Sequence, residues 1–339
     1  MRAPRIKPTE GSAVYHCVSR VVDRTFRLGP VDQEQFVRFL REYEGFCGVR
    51  VWTYCVMSNH FHVLVEVPAR PSVLPTAEEL VERLRGLSCS GLGVKRVEQR
   101  IASFRAMQDV GGEREYLEQF FRRMWDVSQF MKLVKQRFSR WYNRDRGRKG
   151  TLWEERFRSV LVENQGEAAA VVAAYVDLNP VRAGMVAEPQ EYRWSGYGEA
   201  SAGQPRALAG VQAVMRAATG LEESEGKSWE RYRMWLYGLG EERAGTDEQG
   251  QPLRKGFKRE EVLAVIRNQG VVTKAEYLRC RIRYFAEGVA LGSRAYVEGI
   301  FRQYRDRFDR RRTDGARPME GWSGKDLFAL RSFGRDAVG

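Results

Sequence analysis

The stretch GVRVWTYCVMSNHFHVLVEVP, residues 48–68, constrains this chain most: two apolar runs rich in β-branched and aromatic residues are separated only by the polar pair Ser58-Asn59. Runs of this kind read as strands, and so short a polar join reads as the turn between them. The second strand begins at His60-Phe61-His62. Side chains two apart on a strand share a face, so His60 and His62 stand together while Phe61 turns into the core. The chain has 339 residues and only three histidines; the third is His16, in YHCVSR.

The flanking sequence supplies more strands and helices. VYHCVSRVV reads as a strand, and QEQFVRFLREYEGF as a helix whose apolar positions include Phe36, Phe39 and Leu40. Pro68, Pro71 and Pro75 end this block. AEELVERLRGL resumes helix after Thr76, with Glu79 at the N3 position of a capping box. Residues 113–143 are strongly helical in pattern. RFRSVLVE reads as a strand, and NQGEAAAVVAAYVDLNP as a helix capped by Asn164, with Glu167 at N3 and Pro180 as its stop. Strands and helices interleaved with hairpin-length turns predict an α+β fold, helices packed on a mainly antiparallel sheet.

The length suits two domains. Residues 1–199 form the first. Residues 200–256, rich in Gly, Glu, Ser and Ala, read as a linker region with one short amphipathic helix, SWERYRMWLYGL. Residues 257–330 carry three helix-like pieces, REEVLAVIRNQ, KAEYLRCRIRYFA and SRAYVEGIFRQYRDRF, the last capped by Ser293. They predict a mostly helical domain, of helix-turn-helix type and nucleic-acid-binding, although helical hairpins fit the same pattern.

A formal net charge of +13 and a pI near 9.7 favour a polyanionic partner, nucleic acid before an anionic membrane surface. The basic N-terminus has no apolar run before its first strand, and no apolar run is long enough to span a bilayer. Five cysteines (Cys17, Cys47, Cys55, Cys89 and Cys280) without a C-x-x-C pair suit free thiols in a reducing compartment. The expectation is a cytoplasmic, nucleoid-associated protein.

Two imidazoles make an incomplete cation shell, to be completed by a third protein ligand and a substrate oxygen. Magnesium or manganese fits when phosphate and water join them. The bland alternative is a pair of core histidines satisfied by neighbours, and for His16 pocket and core readings stand level. Tyr175 is the candidate nucleophile. It lies near the end of an alanine-rich helix whose small side chains permit close approach to a sheet. Asn179, four residues on, shares its face if the helix persists and offers an amide oxygen to the cation. An aromatic in such a helix is ordinarily core. Lys132, Lys135, Arg137, Arg140, Arg144, Arg146, Arg148 and Lys149 crowd a helix and its exit loop, with Trp141, Tyr142 and Trp153 among them. Cations track a phosphate backbone and aromatics stack on unpaired bases, although charge runs are often solvated faces. Arg156 and Arg158 would share one face of the next strand. A distal tract, Arg302, Arg305, Arg307, Arg310, Arg311 and Arg312, fits either reading.

Four stretches in this order, YHCVSR, WTYCVMSNHFHVLVEVP, FMKLVKQRFSRWYNRDRGRKGTLWEERFRSVLVE and AAYVDLNPVRAG, span most of residues 13–185. Together they resemble the single-tyrosine HUH transposases, in particular the REP-associated tyrosine transposases. The resemblance implies a ferredoxin-like antiparallel sheet with packed helices. It implies a divalent cation, Mg2+ or Mn2+, on His60 and His62, with Asn179 as a third metal-side ligand. Tyr175 would be the nucleophile, cleaving and rejoining single-stranded DNA at hairpin-forming repeats through a 5′-phosphotyrosine, in a monomer or a homodimer. The competing functions are a non-catalytic DNA-binding regulator on the same scaffold, a metal-dependent hydrolytic nuclease and an RNA-binding protein.

Overall fold

The computed structural model describes residues 5–8, 11–22, 27–88, 91–240, 243–246, 252–254, 283–319 and 327–331. The chain opens with strand β1 (Ala13–Arg20), helix α1 (Pro30–Cys47) and strands β2 (Arg50–Val56) and β3 (His60–Val67). An excursion of three helices follows, α2 (Ala77–Arg85), α3 (Gly91–Ala106) and α4 (Val110–Phe121). Then come α5 (Val127–Asp145) and β4 (Arg158–Val162). The four strands lie in the order β2-β3-β1-β4, and each neighbouring pair is antiparallel. The units β1-α1-β2 and β3-α5-β4 therefore interlock as two split βαβ crossovers, the ferredoxin-like plan.

Alternation on the strands explains the two layers. Tyr15, Cys17, Phe61, Val63, Val65 and Leu161 face α1 and α5, meeting Phe36, Phe39, Leu40, Phe130, Val134 and Phe138 in one core. Val14, Leu64, Val160 and Val162 face the other way, into a second core built around α6 (Ala168–Asp177). All ten residues of α6 are buried, five of them alanine. Small side chains on every face let this helix sit between the sheet and a further layer, the pattern of a helix buried all round.

The local signals hold in part. Thr76 Oγ1 accepts from the Glu79 amide while Glu79 reaches back to the Thr76 amide, the capping box read from sequence. Ser293 caps the helix after it. The strongly helical span 113–143 holds most of α4 and most of α5. The break falls at Trp125 in the left-handed region (φ 49°), followed by Asp126 as N-cap of α5. Asn164 is not a cap: α6 starts later, after Gly166 with φ 73°, and Asn164 Nδ2 donates to Ser12 Oγ instead. Pro180 does not end the helical run either. The chain breaks at Leu178 and restarts as one turn, α7 (Asn179–Arg182), with Pro180 in its first turn, where a missing N–H costs nothing.

The rest of the chain differs from the sequence reading. Where a linker with one short helix is expected, α8 (Gly196–Ser201) is followed by two long helices, α9 (Pro205–Thr219) and α10 (Glu225–Gly240). Val211, Val214, Met215, Tyr232 and Leu236 bury into the second core. β5 (Arg243–Thr246) and β6 (Pro252–Arg254) pair as a separate ribbon. Of the three helix-like pieces expected in 257–330, residues 259–269 and most of 274–286 lie outside the described residues. The described part holds helices α11 (Arg283–Glu287) and α12 (Arg294–Gln303) and three short strands, β7 (Ala290–Gly292), β8 (Arg317–Pro318) and β9 (Phe328–Leu330). β7 pairs parallel to β4 and extends the sheet to seven strands, β2-β3-β1-β4-β7-β9-β8. Strands of two or three residues carry no readable period, which is why alternation missed them. Among the described residues no helix is long and apolar enough to cross a membrane.

The seat of α9 makes a sharp prediction. A Cβ at Gly210 would lie 2.2 Å from the Trp52 carbonyl oxygen on β2, a backbone atom that cannot swing aside. Gly210→Ala would gain up to about 1 kcal/mol of helix propensity in isolation. Overpacking against rigid backbone costs about 1–3 kcal/mol or more, so we expect net destabilisation of about 2 kcal/mol in urea unfolding. An unchanged or raised midpoint would show that α9 is not seated on β2.

Candidate active site

Four elements meet on the face of the sheet opposite α1 and α5. β1 brings His16 and Arg20, β3 brings His60 and His62, α6 brings Tyr175 and α7 brings Arg182. The β1–β3 register sets Arg20 opposite His60 and Val18 opposite His62. His16 and His62 are then diagonal neighbours on one face, their rings stacked at 5.1 Å with 10° between planes. The His60 ring meets His62 edge-on at 5.0 Å. Tyr175 lies edge-on to both inner histidines, 5.5 Å from His62 and 5.8 Å from His16. Its other face stacks on Phe285 of α11 at 4.6 Å. The pair read from sequence and the tyrosine read from sequence are thus brought together, although more than a hundred residues separate them.

The hydrogen bonds fix which ring nitrogens are bare. Burial holds the imidazoles neutral: it pushes His16 down to about 4, and His60 also to about 4 with help from the Arg20 charge. His62 is pushed down as well, by burial first and then by its histidine and arginine neighbours. A neutral ring carries one N–H. His16 Nδ1 must donate to the Phe285 carbonyl at 2.7 Å, because a carbonyl only accepts. His16 Nε2 is then bare and accepts from His62 Nδ1 at 3.0 Å. That leaves the lone pair of His62 on Nε2. His60 reaches the same state through Asn59, whose Oδ1 accepts from His60 Nδ1 at 2.6 Å. Both residues of the pair therefore present a bare Nε2, the state a metal-binding imidazole needs, each oriented by a partner behind it.

This donor set fits a divalent cation, but only as part of a shell. Among the described residues no group of three or more His, Cys, Asp or Glu side chains could hold a metal. Asn179 Nδ2 donates to the carbonyls of Tyr175 at 2.8 Å and Val176 at 3.3 Å, so the amide turns its donor end back on the helix and Oδ1 is the end left for a ligand role.

Tyr175 is buried, and burial raises its pKa; the Arg182 charge and then the Arg20 charge pull it back. The roll of α6 that aims it is set from the other side. Asp177, two residues on, accepts hydrogen bonds from Thr53 of β2 and Tyr232 of α10. Tyr142 is no rival nucleophile: it is buried in the opposite core, its hydroxyl donating to the Arg27 carbonyl at 3.3 Å.

The basic stretch divides. Lys135 is buried, donating to Ser19 Oγ at 2.7 Å and the Glu155 carbonyl at 3.0 Å, and burial pushes its pKa down to about 7. Trp153 and Tyr142 are core residues. These three are not on a DNA-facing surface, contrary to the sequence reading: their side chains point from α5 and its exit loop into the sheet. Arg137 donates to the Ser88 carbonyl and covers the Phe39 ring, and Trp141 is half-buried against Phe138. Arg146 is held by the buried Asp32, Arg148 reaches Asn143, and Arg158 pairs with Glu155 and Glu287. Lys132, Arg140, Arg144, Lys149 and Arg156 are exposed. The exit loop also borders the site: the Glu154 amide donates to the Arg20 carbonyl, and Val21 bridges Trp153. In the distal tract, Arg305 and Arg312 are spent on backbone carbonyls between Phe308 and Arg331.

Sequence reasoning missed Arg20, Arg182, Asp177 and Phe285. The first three lie inside the quoted stretches YHCVSR and AAYVDLNPVRAG, so their signal was position within a motif. Phe285 has none.

No curated protein matches the chain. A solved structure of a REP-associated tyrosine transposase bound to a REP hairpin shares 11% identity at a TM-score of 0.38, covering 59% of this chain and 86% of that one, a likeness too distant to place residues by. The family described as Transposase IS200 like matches residues 10–99. That span runs from the start of β1 past β3 and holds all three histidines, though not Tyr175.

Proposed function

We propose that the protein is a metal-dependent single-stranded DNA transesterase that cleaves and rejoins DNA through Tyr175. The observation that carries the reading is the meeting of a buried phenol with two imidazoles whose Nε2 atoms are both bare. Tyr175 Oη attacks a phosphodiester phosphorus, the bond to the 3′ oxygen breaks, and the phenol proton ends on the released 3′-hydroxyl. The product is a 5′-phosphotyrosine. Another 3′-hydroxyl reverses the step, with the bond energy kept in the ester. His60 and His62, with Asn179 Oδ1, would hold Mg2+ or Mn2+, which when bound supplies positive charge to polarise the scissile phosphate. The stacking of Tyr175 on Phe285 and its edge contacts to His16 and His62 restrict the ring to one orientation, which removes an entropic cost from in-line attack.

A hairpin-forming single strand as substrate follows the sequence resemblance, and the exposed Lys132, Arg140, Arg144, Lys149 and Arg156 offer it cationic contacts. The test is a labelled single-stranded hairpin library incubated with the protein and manganese, resolved on a denaturing gel. The expected outcome is a protein–DNA adduct whose labelled peptide, by mass spectrometry, contains Tyr175. Cleaved DNA without an adduct would favour the hydrolytic nuclease, and binding with neither product the silent regulator.

A further inference from the structure

Two inward-turned arginines, Arg83 and Arg182, each keep a buried guanidinium nitrogen without a hydrogen-bond partner; Arg83 lies beside Gly48 and Trp125, whereas Arg182 lies against Tyr175. Arg41 is paired with Glu44 and Glu199, Arg146 with Asp32, and Arg305 and Arg312 are saturated by carbonyls. Arg182 has no carboxylate partner among the described residues. Its guanidinium lies 5.0 Å from the centroid of the Tyr175 ring, and its Nη2 is buried without a hydrogen-bond partner. Desolvation pushes its pKa down to about 10, so it stays charged at neutral pH. A buried donor left unmade is costly, and a buried cation more so. Beside a reacting phenol, an incoming anion would complete such a group.

A second cation faces the same place. Arg20 ends β1 opposite His60, is exposed, and its charge acts on Tyr175, His60 and His62. Arg182 lies on the phenol ring and Arg20 opposite His60, so two guanidiniums face this one place. A fork of N–H donors matches the non-bridging oxygens of a phosphodiester.

We propose that Arg182 and Arg20 form a clamp for the scissile phosphate, Arg182 from the buried side beside Tyr175 and Arg20 from the solvent side. This rests on the reading of the protein as a DNA transesterase and names the residues that hold the reacting group. On substrate binding the orphaned Nη2 gains its acceptor, and the two charges also favour the phenolate as the proton leaves. Arg182 thereby acts on ground state and transition state, Arg20 on capture.

The test uses the full chain and a hairpin oligonucleotide whose cleaved linkage has been mapped from the adduct. Two versions are compared, one with the natural phosphate and one with a neutral methylphosphonate at that linkage. Affinity is read by fluorescence anisotropy without added divalent ion. The wild type is expected to lose about tenfold in affinity when the charge is removed, the scale of a charge-assisted contact. Arg182→Ala should show a clearly smaller methylphosphonate penalty than the wild type, the remainder being the Arg20 contact, and with manganese its adduct should form about 100-fold more slowly, the effect of deleting one oxyanion donor. Arg182→Lys should fall between, having charge without the fork. Arg182→Ala should also melt no lower than wild type, because it removes an uncompensated buried charge; a merely structural arginine would lower the melting temperature.

A methylphosphonate penalty of equal size in wild type and Arg182→Ala, or an adduct rate within about threefold, would overturn the clamp while leaving Tyr175 chemistry standing. An Arg182→Ala protein that cannot fold would overturn it too, by showing a structural partner. If the wild type gives no Tyr175 adduct at all, the transesterase reading fails first and the clamp with it.

Discussion

Tyr175→Phe is expected to abolish the covalent adduct while hairpin binding stays within about twofold of wild type. The two expectations come from one geometry. The aromatic ring makes the contacts: the stack on Phe285, the edges of His16 and His62, and the Arg182 guanidinium above it. Phenylalanine preserves all of them, so the fold and the DNA surface should survive, with stability changed by no more than about 1 kcal/mol, the net worth of one hydroxyl. In the proposed reaction only the oxygen takes part. Among the described side chains no second phenol meets the histidine cluster: Tyr142 is on the far side of the sheet, and Tyr232 and Tyr197 lie on the Asp177 side of α6. The loss should therefore exceed about 1,000-fold, more than 4 kcal/mol of barrier. Quantified adduct on a denaturing gel and anisotropy on the same oligonucleotide check both halves. Retained cleavage with a lost adduct would point to activated water as nucleophile.

How much of this was legible in advance depends on the range of the signal. Strand alternation placed His60 and His62 on one face and Phe61 on the other because a period of two needs only neighbours. The alanine-rich helix was legible as a close-packing element for the same local reason. What alternation could not supply was the partner across space. Whether His16 lines the site depended on the β1–β3 register and on a carbonyl at Phe285, 269 residues away in sequence. The basic run misled at Lys135, Tyr142 and Trp153 because composition does not tell which side of a helix is turned inward. At Lys135 the core accepted an amine that two oxygen acceptors satisfy. Residues 200–256 looked like a linker because small residues signal flexibility by composition. Gly210 is instead small so that α9 can touch the backbone of β2.

Asp177 gives the largest stability effect. It is buried within the second core, and desolvation raises its pKa from 3.8 to about 7 against the pull of hydrogen bonds from Thr53, Tyr232 and the Tyr197 amide. Between those two values the folded protein keeps a proton that the unfolded chain has lost. Stability from this group is thus fully present below about pH 4 and falls as pH rises through about 7, by up to about 4 kcal/mol in all. Asparagine holds the same volume, never ionises and has no such slope. Urea unfolding of wild type and Asp177→Asn at pH 5 and pH 8 isolates the effect, since the buried histidines titrate alike in both and cancel in the difference. The wild type should lose roughly 3 kcal/mol more than the variant between the two conditions. Parallel profiles would mean that the carboxylate is ionised across the range and compensated by its hydroxyl donors. The consequence reaches the chemistry, because Asp177 and Tyr175 share one helix. Above pH 7 a charged anchor draws Thr53 and Tyr232 toward α6 more strongly even as its desolvation destabilises the fold. The helix that carries Tyr175 is then held most firmly where this carboxyl stabilises the fold least.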